Sequence, residues 1–230
     1  MKKLVALTGA GISAESGIKT FRDADGLWEG HNIMEVASPE GFQRNPELVL
    51  DFYNQRRKQL KEVTPNAAHE ALKLLETQFD TWVITQNVDD LHERAGSTQI
   101  IHLHGELNKV MSLGPPHEVY HWTEDLFIHH RCERGFGMRP HIVWFGEAVP
   151  MLESAAAQIL DADIVLVIGS SMQVYPAAGL VAYAPKGAEV IYIDPKPKIS
   201  YELSVRQKLT VISKPATEGM ADFLKLFLRG

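Results

Sequence analysis

Gly9-Ala10-Gly11-Ile12-Ser13-Ala14-Glu15-Ser16-Gly17-Ile18 follows directly on the short apolar run Leu4-Val5-Ala6-Leu7. A strand that runs into a glycine turn and then a helix is how α/β proteins seat a dinucleotide. On that reading Gly9 makes the turn tight, Gly11 has no Cβ and lets the backbone approach a pyrophosphate, and Ala14 is small where the following helix meets the sheet. N–H groups at the start of that helix would face the phosphates. The chemistry above the seat does not read as hydride transfer. Dehydrogenases place an acidic residue on the ribose about 20 residues on, at the end of a second strand. Here that position falls near Glu29, in Gly26-Leu27-Trp28-Glu29-Gly30, which has no strand character.

The 230 residues suffice for one large or two modest domains. Apolar content of 45% and charged content of 23% are those of an ordinary globular protein. A formal charge of −6 argues against general nucleic-acid binding. With Cys132 alone no internal disulfide forms, which fits a reducing, cytoplasmic setting. The apolar part of Met1–Leu7 ends at Thr8-Gly9, too short for a signal peptide, and no later apolar run is long enough to span a bilayer, so no membrane association is expected.

The remaining chain alternates between apolar runs and helical patterns. Strands are expected over Thr81–Thr85, Gln99–Leu103, the first part of Pro140–Glu147, Ala162–Ile168, Glu189–Ile193 and Leu209–Ile212. Helices are expected from Pro46, over Ala67–Phe79, over Leu91–Ala95 closed by Gly96, and over Leu152–Leu160, Pro176–Ala184 and Glu218–Leu228. This is the α/β pattern of a Rossmann-like, doubly wound parallel sheet. Its expected extent is about 1–30, 76–105 and 140–230, with a smaller, mostly helical body made from insertions at about 31–75 and 106–139. Polar groups gather at four strand ends: Gly9–Ser13, Gln86–Asp89, His104 and Gly169–Ser171. In open α/β sheets such ends converge on a ligand.

Gly-Ala-Gly-Ile-Ser at 9–13, Phe21-Arg22, Thr-Gln-Asn-Val-Asp at 85–89, Leu-His-Gly at 103–105, Val-Trp-Phe-Gly-Glu at 143–147 and Gly-Ser-Ser at 169–171 resemble, in order and spacing, the sirtuin family of NAD-dependent protein lysine deacylases. The resemblance implies NAD as the nucleotide and acylated lysine in proteins as the partner, met by a monomer. The acyl oxygen would attack ribose C1′ and release nicotinamide, and water would later free lysine and O-acyl-ADP-ribose. His104 would be the general base toward the ribose hydroxyls, which suits an imidazole because its ordinary pKa lies close to working pH. Asn87 and Asp89 would grip the nicotinamide carboxamide, and Gln86 would bond the ribose. The remaining NAD contacts implied are Ala10, Ile12, Glu15, Ser16, Phe21, Arg22, Trp28, Val88, Gly169, Ser170, Ser171, Asp194, Pro195 and Ala216, alongside Gly9 and Gly11. Val143, Phe145, Gly146 and Val174 would border the slot into which the substrate peptide adds as a strand.

Tyr53-Asn54-Gln55-Arg56 is similar to the mark of sirtuins that prefer malonyl, succinyl or glutaryl lysine. At helical i, i+3 spacing a tyrosine hydroxyl and a guanidinium share one face, and a guanidinium pairs bidentately with a carboxylate. Most sirtuins bind a structural zinc through two Cys-x-x-Cys pairs. This chain offers only Cys132, with His117, His121, His129 and His130 nearby. No zinc is expected, and Leu113, Val119, Trp122, Leu126 and Phe127 are expected to hold the insert together. Redox chemistry on a Rossmann-like sheet, NAD binding without turnover, and ADP-ribosyl transfer are the competing readings. The first lacks its ribose acid, and a pure binder would have no use for His104.

Overall fold

A computed structural model describes residues 1–19, 27–28 and 30–227. The chain opens with β1 (Lys3–Thr8) and two short 3-10 turns, Ala10–Ile12 and Ala14–Ser16. After a small antiparallel ribbon of β2 (Leu27–Trp28) and β3 (His31–Asn32) come the helices α1 (Ile33–Val36), α2 (Pro39–Arg44), α3 (Pro46–Glu62) and α4 (Ala67–Leu75). There follow β4 (Asp80–Thr85), α5 (Leu91–Arg94), β5 (Ile100–His102), β6 (Gly105–Ser112), β7 (Val119–His121) and β8 (Met138–Ile142). The last part comprises α6 (Leu152–Ile159), β9 (Ile164–Ile168), a 3-10 helix at Ala177–Tyr183, β10 (Glu189–Ile193), α7 (Tyr201–Ser204), β11 (Leu209–Ile212) and α8 (Ala216–Phe227).

Six strands form one sheet in the order β11-β10-β9-β1-β4-β5, and every pairing is parallel. The chain builds β1, β4 and β5 outward in one direction, then returns to the far side of β1 for β9, β10 and β11. That is the Rossmann order, and its switch point lies between β1 and β9. Residue alternation explains why both faces are covered. Val5, Leu7, Val165, Val167, Val190 and Tyr192 face a core with Ala155, Ile159, Leu180 and Leu203. Leu4, Ala6, Ile164, Leu166, Ile191 and Ile193 face the opposite core. Burial on both faces is why these strands read as continuous apolar runs.

The second core shows that α4 was misassigned to the insert: Ala68, Ala71, Leu72 and Leu75 pack against the sheet with Met220 and Phe223 of α8. The insert keeps its helices, α1–α3, and adds strands to them. β7, β6 and β8 form a three-stranded antiparallel sheet. Residues 140–142, expected in the larger body, therefore belong to this smaller sheet. A register shift between Gly105 and Val110 interrupts the alternation that would have revealed it.

The 17-residue α3 joins the two parts. The Asn45 side chain caps it by accepting from the Leu48 amide, and Pro46 needs no partner at the first turn. Val49, Phe52, Tyr53 and Leu60 pack with Leu91, Leu107, Ile142 and Trp144. Leu50 joins Val110, Leu126, Cys132 and Met138. Of the residues expected to hold the insert, Leu126 is buried and Trp122 packs beside it, but Leu113, Val119 and Phe127 are exposed. On β7 the two-residue period turns Tyr120 inward and Val119 outward. Buried polar groups complete the joint. Asn54 accepts from the Leu126 amide (2.8 Å) and donates to its carbonyl (3.0 Å). Arg57, also buried, donates to Asn54 Oδ1 (2.6 Å) and the Leu107 carbonyl (2.9 Å). Burial pulls the Arg57 guanidinium down to about 10. Among the described residues no helix is long and apolar enough to cross a membrane.

Candidate active site

The loops after β1 and β9 meet at the switch point. Gly11 donates its amide to the Gly169 carbonyl at 2.8 Å, and a Cβ on Gly11 would lie 2.6 Å from the Gly169 Cα. A Cβ on Gly9 would lie 2.9 Å from the Gly169 oxygen. Gly169 sits at φ +60, with Ile12 N only 2.3 Å from where its Cβ would be. These glycines are therefore required by loop-to-loop contact, a reason the sequence reading did not contain. Gly9 itself is extended (φ −127), not in a glycine-only conformation. The expected helix is absent, since two 3-10 turns stand in its place, and Ala14 is exposed instead of packed on the sheet. The amides of Gly9, Gly11, Ile12 and Ser13 already donate to the carbonyls of Ile168, Gly169, Gly9 and Ala10, so these four do not form the expected row of N–H groups facing the phosphates.

Beside this cradle the loop after β4 carries Gln86–Asp89. Ser13, buried at the end of the first turn, ties it in place. Asn87 Nδ2 donates to Ser13 Oγ at 3.0 Å, and Ser13 Oγ donates to Asp89 Oδ2 at 2.9 Å. The Leu91 amide donates to Asp89 Oδ1 at 3.2 Å. Burial pushes the Asp89 carboxyl up to about 6, against these hydrogen bonds. Two histidines that the sequence reading passed over sit behind the loop. His69 Nε2 lies 3.5 Å from Ser13 Oγ, and His92 Nε2 lies 3.0 Å from Thr8 Oγ1. Burial depresses both, His69 to about 4 and His92 well below its ordinary value, so both rings are neutral. Neither is a local motif; each becomes visible only when α4 and α5 pack on β1.

His104 follows β5. Its Nδ1 donates to the Gln86 carbonyl at 3.1 Å, which fixes the proton there and leaves Nε2 as the acceptor nitrogen. Burial lowers its pKa, the Gln86 carbonyl partly opposing, so the ring is in its basic form at neutral pH. The His104 carbonyl accepts from the Val143 amide at 2.9 Å, linking the candidate base to the tract of Phe145 and Gly146. Both of those residues are exposed. Val174, half-buried, lies just before the 3-10 helix at Ala177–Tyr183. Gln86 Nε2 donates to Ser170 Oγ at 3.3 Å, so the β4 and β9 loops touch. Ser171 is half-buried beside it.

Other expected contacts are engaged within the chain. The Ile12 side chain is buried in the sheet's core, as is Ala216. Both Glu15 oxygens accept from Thr217, at 2.6 and 2.9 Å, capping α8. Ser16 Oγ accepts from Asn66. Asp194 is buried and accepts from the Lys196 amide across the exposed Pro195. Ala10 is half-buried at the head of the first turn. Phe21 and Arg22 lie outside the described residues, as does Glu29; for Trp28 only the backbone, in β2, is described. The two-residue β2 corrects the expectation of no strand near 27–28.

Tyr53 and Arg56 both lie on α3. Tyr53 is buried, and its hydroxyl accepts from Trp144 Nε1 at 2.9 Å. Trp144 is itself clamped: Arg139 stacks on its ring at 3.7 Å and holds both Glu147 oxygens. Arg56 lies over the Phe52 ring at 4.9 Å and lines a cavity with Ile18, Gln59, Leu60, Val88 and Asp89. This cavity joins Arg56 to the candidate nicotinamide loop, whereas Tyr53, the other candidate acyl residue, does not line it. A tetrathiolate zinc site does not fit the insert. Cys132 is buried against Ser112 Oγ (3.4 Å), and none of His117, His121, His129 and His130 belongs to a three-ligand cluster among the described residues. His117 and His121 also lack the helix their spacing would need, since His121 is on β7.

Comparison with known proteins agrees with this geometry. Residues 9–176 match the model of the Sir2 family. The chain is 56% identical over 224 residues to an NAD-dependent protein deacylase of Helicobacter pylori, covering 97% of this chain and 96% of that protein. A solved Sir2 homolog–NAD complex superposes with a TM-score of 0.87 at 38% identity, covering 99% of this chain and 90% of the other. A Sir2 structure bound to acetylated peptide gives 0.80 at 28% identity, covering 97% and 92%. With parallel-sheet order, switch-point loops and family match in agreement, the chain belongs to the Sir2 family.

Proposed function

We propose that this NAD-dependent protein deacylase of the Sir2 family acts preferentially on lysines carrying an acidic acyl group, succinyl or malonyl, with acetyl as a weaker substrate. The observation that carries the reading is the cavity that Arg56 shares with Val88 and Asp89. A guanidinium on one wall pairs with the distal carboxylate of the acyl chain, while the Gln86–Asp89 loop on another wall handles the nicotinamide end. Tyr53, three residues before Arg56 on the same helix, is buried with its hydroxyl on Trp144 Nε1 and braces that helix beside the cavity.

NAD supplies a ribose C1′ that becomes electrophilic as nicotinamide leaves. The chain's own groups do the rest. The Gly9–Ser13 turn seats the phosphates, Gln86 bonds the nicotinamide ribose, and Ser170 contacts the adenosine half. Asn87 and Asp89 hold the carboxamide, and His104 Nε2 receives a proton from a ribose hydroxyl. The edges at Val143–Gly146 and Val174 take the peptide backbone. The protein works as a cytoplasmic monomer on protein substrates, without nucleic acid, membrane or structural zinc. Its larger body comprises the parallel sheet with α4, and its smaller body comprises α1–α3 with the antiparallel sheet.

The test is NAD with matched acetyl, malonyl, succinyl and glutaryl peptides, products followed by mass spectrometry. Arg56→Met is expected to lower kcat/KM for succinyl peptide by about a hundredfold, the value of a desolvated charge-assisted pair, with the acetyl rate within a few-fold of wild type. Equal losses on both substrates overturn the assignment. Label from NAD retained covalently on protein would point to ADP-ribosyl transfer.

A further inference from the structure

Two histidines on one side of the chain after β4, His102 and His104, each grip a carbonyl of the same loop. His104 Nδ1 donates to Gln86 O and His102 Nδ1 donates to the next carbonyl, Asn87 O, both at 3.1 Å. The rings then differ. His102 Nε2 meets Glu93 Oε1 on α5 at 2.7 Å, so it donates from both nitrogens, which only an imidazolium can do. A ring nitrogen of His102 and a carboxylate oxygen each of Glu93 and Glu106 all lie within 4.8 Å of one another, so a second carboxylate stands beside the ring. Glu106 is also paired with Lys109 at 2.5 Å. Burial pulls His102 down, yet the hydrogen bond and charge of Glu93, with Glu106 and the Asn87 carbonyl, carry it above its ordinary value. The other titratable groups that feel its charge are the buried Asp89 and His92.

We propose that His102 is a positioning residue of the active site: as an imidazolium anchored by Glu93, it holds the Asn87 carbonyl and so fixes the Asn87 side chain on Ser13. The inference rests on the proposed role of the Gln86–Asp89 loop toward nicotinamide. The chain of contacts is continuous, from Glu93 Oε1 through the His102 ring to the Asn87 backbone and from Asn87 Nδ2 to Ser13 Oγ. A hydrogen bond from a charged donor holds a carbonyl more strongly than one from a neutral ring. Loss of the His102 proton removes the Nε2–H bond to Glu93 and weakens the other. The two histidines therefore set opposite limits: His104 must be neutral and His102 must be charged.

The experiment compares wild type with Glu93→Gln, His102→Gln and His102→Leu from about pH 4 to about pH 9, a span that brackets both histidines. In the protein without nucleotide, NMR of the imidazoles is expected to show His102 titrating above His104. Glu93→Gln is expected to lower the first by about one unit or more and leave the second in place. In kcat/KM for NAD, which reports the free enzyme, Glu93→Gln moves the alkaline limb to lower pH by the same amount without moving the acid limb. His102→Gln, a permanently neutral donor, is expected to show no alkaline limb and to sit near the lowered level that wild type reaches above that limb. His102→Leu raises both KM and the calorimetric Kd for NAD about tenfold, with peptide KM unchanged. If His102→Leu fails to fold, Glu93→Gln decides alone, because that carboxylate is 40% exposed. An active wild type whose alkaline limb Glu93→Gln does not move, or whose His102 titrates below His104, overturns the role of His102. A wild type that releases no nicotinamide with any acyl peptide overturns the reading of the loop as well.

Discussion

The amide of Gly11 donates to the carbonyl of Gly169 at 2.8 Å, stitching together the two turns on either side of the switch point. The contact leaves no room for a side chain, since the nearest obstacles to a Cβ on Gly11 are backbone atoms of Gly169. Gly11→Ala is expected to cost about 1–3 kcal/mol through overpacking and to weaken NAD binding more than tenfold. Gly187→Ala, where a Cβ meets nothing within 4 Å, is the control that keeps its Tm. Thermal melts and NAD titration of the two variants check both statements.

Asp89 gives a pH-dependent prediction. Burial raises its folded-state pKa to about 6, above the ordinary carboxylate value, so folding favours its neutral form. The contribution to stability is full below about pH 4 and is lost as pH rises through about 6, by about 3 kcal/mol in all. Asp89→Asn is expected to be more stable than wild type at neutral pH, with the gain shrinking toward pH 4, while activity falls. Denaturant midpoints of both proteins across that range are the measurement.

His69 gives the reverse sign. Burial lowers its folded-state pKa to about 4, so the neutral ring stabilises the fold above its unfolded value. That stability disappears as pH falls from about 6.5 to about 4, by about 3 kcal/mol. His69→Gln, which cannot charge, is expected to flatten the acid arm of the stability profile.

Tyr53→Phe removes the acceptor for Trp144 Nε1, a buried donor. The expected cost is about 1–3 kcal/mol of stability. Under the proposed acyl pocket, the loss of rate is larger for succinyl than for acetyl peptide. Paired melting and rate measurements separate the two effects.

Incubation with a strong chelator is expected to leave the Tm unchanged, because the insert's core of Leu50, Val110, Leu126, Cys132 and Met138 is apolar. Stoichiometric zinc in freshly purified protein, or a chelator-induced drop in Tm, would contradict this.

The parallel sheet was legible because β1, β9 and β10 are buried on both faces and read as unbroken apolar runs. The candidate site loops were legible because polar residues stand just after the apolar runs of β1, β4, β5 and β9. Ser13 in its clamp, His69, His92, His102 and Arg57 were not. Their roles come from partners 56, 84, 9 and 50 residues away for His69, His92, His102 and Arg57, and no local period encodes such pairings. The antiparallel sheet was hidden because β6 and β8 are separated by a long irregular stretch and their register shifts. The glycines were singled out for the approach of a phosphate, whereas the constraint visible at position 11 is another loop's backbone.

The helix Pro46–Glu62 carries Arg56 toward the cavity, while Asn54 and Arg57 lash down Leu126 and Leu107 from the same rod. Under the proposed acyl pocket, tuning of substrate taste and upkeep of the outlying sheet are thus inherited together. A tilt of that rod that suits a bulkier modification also loosens distant moorings, so variants with altered selectivity will tend to need repairs near Leu126, far from any reacting bond.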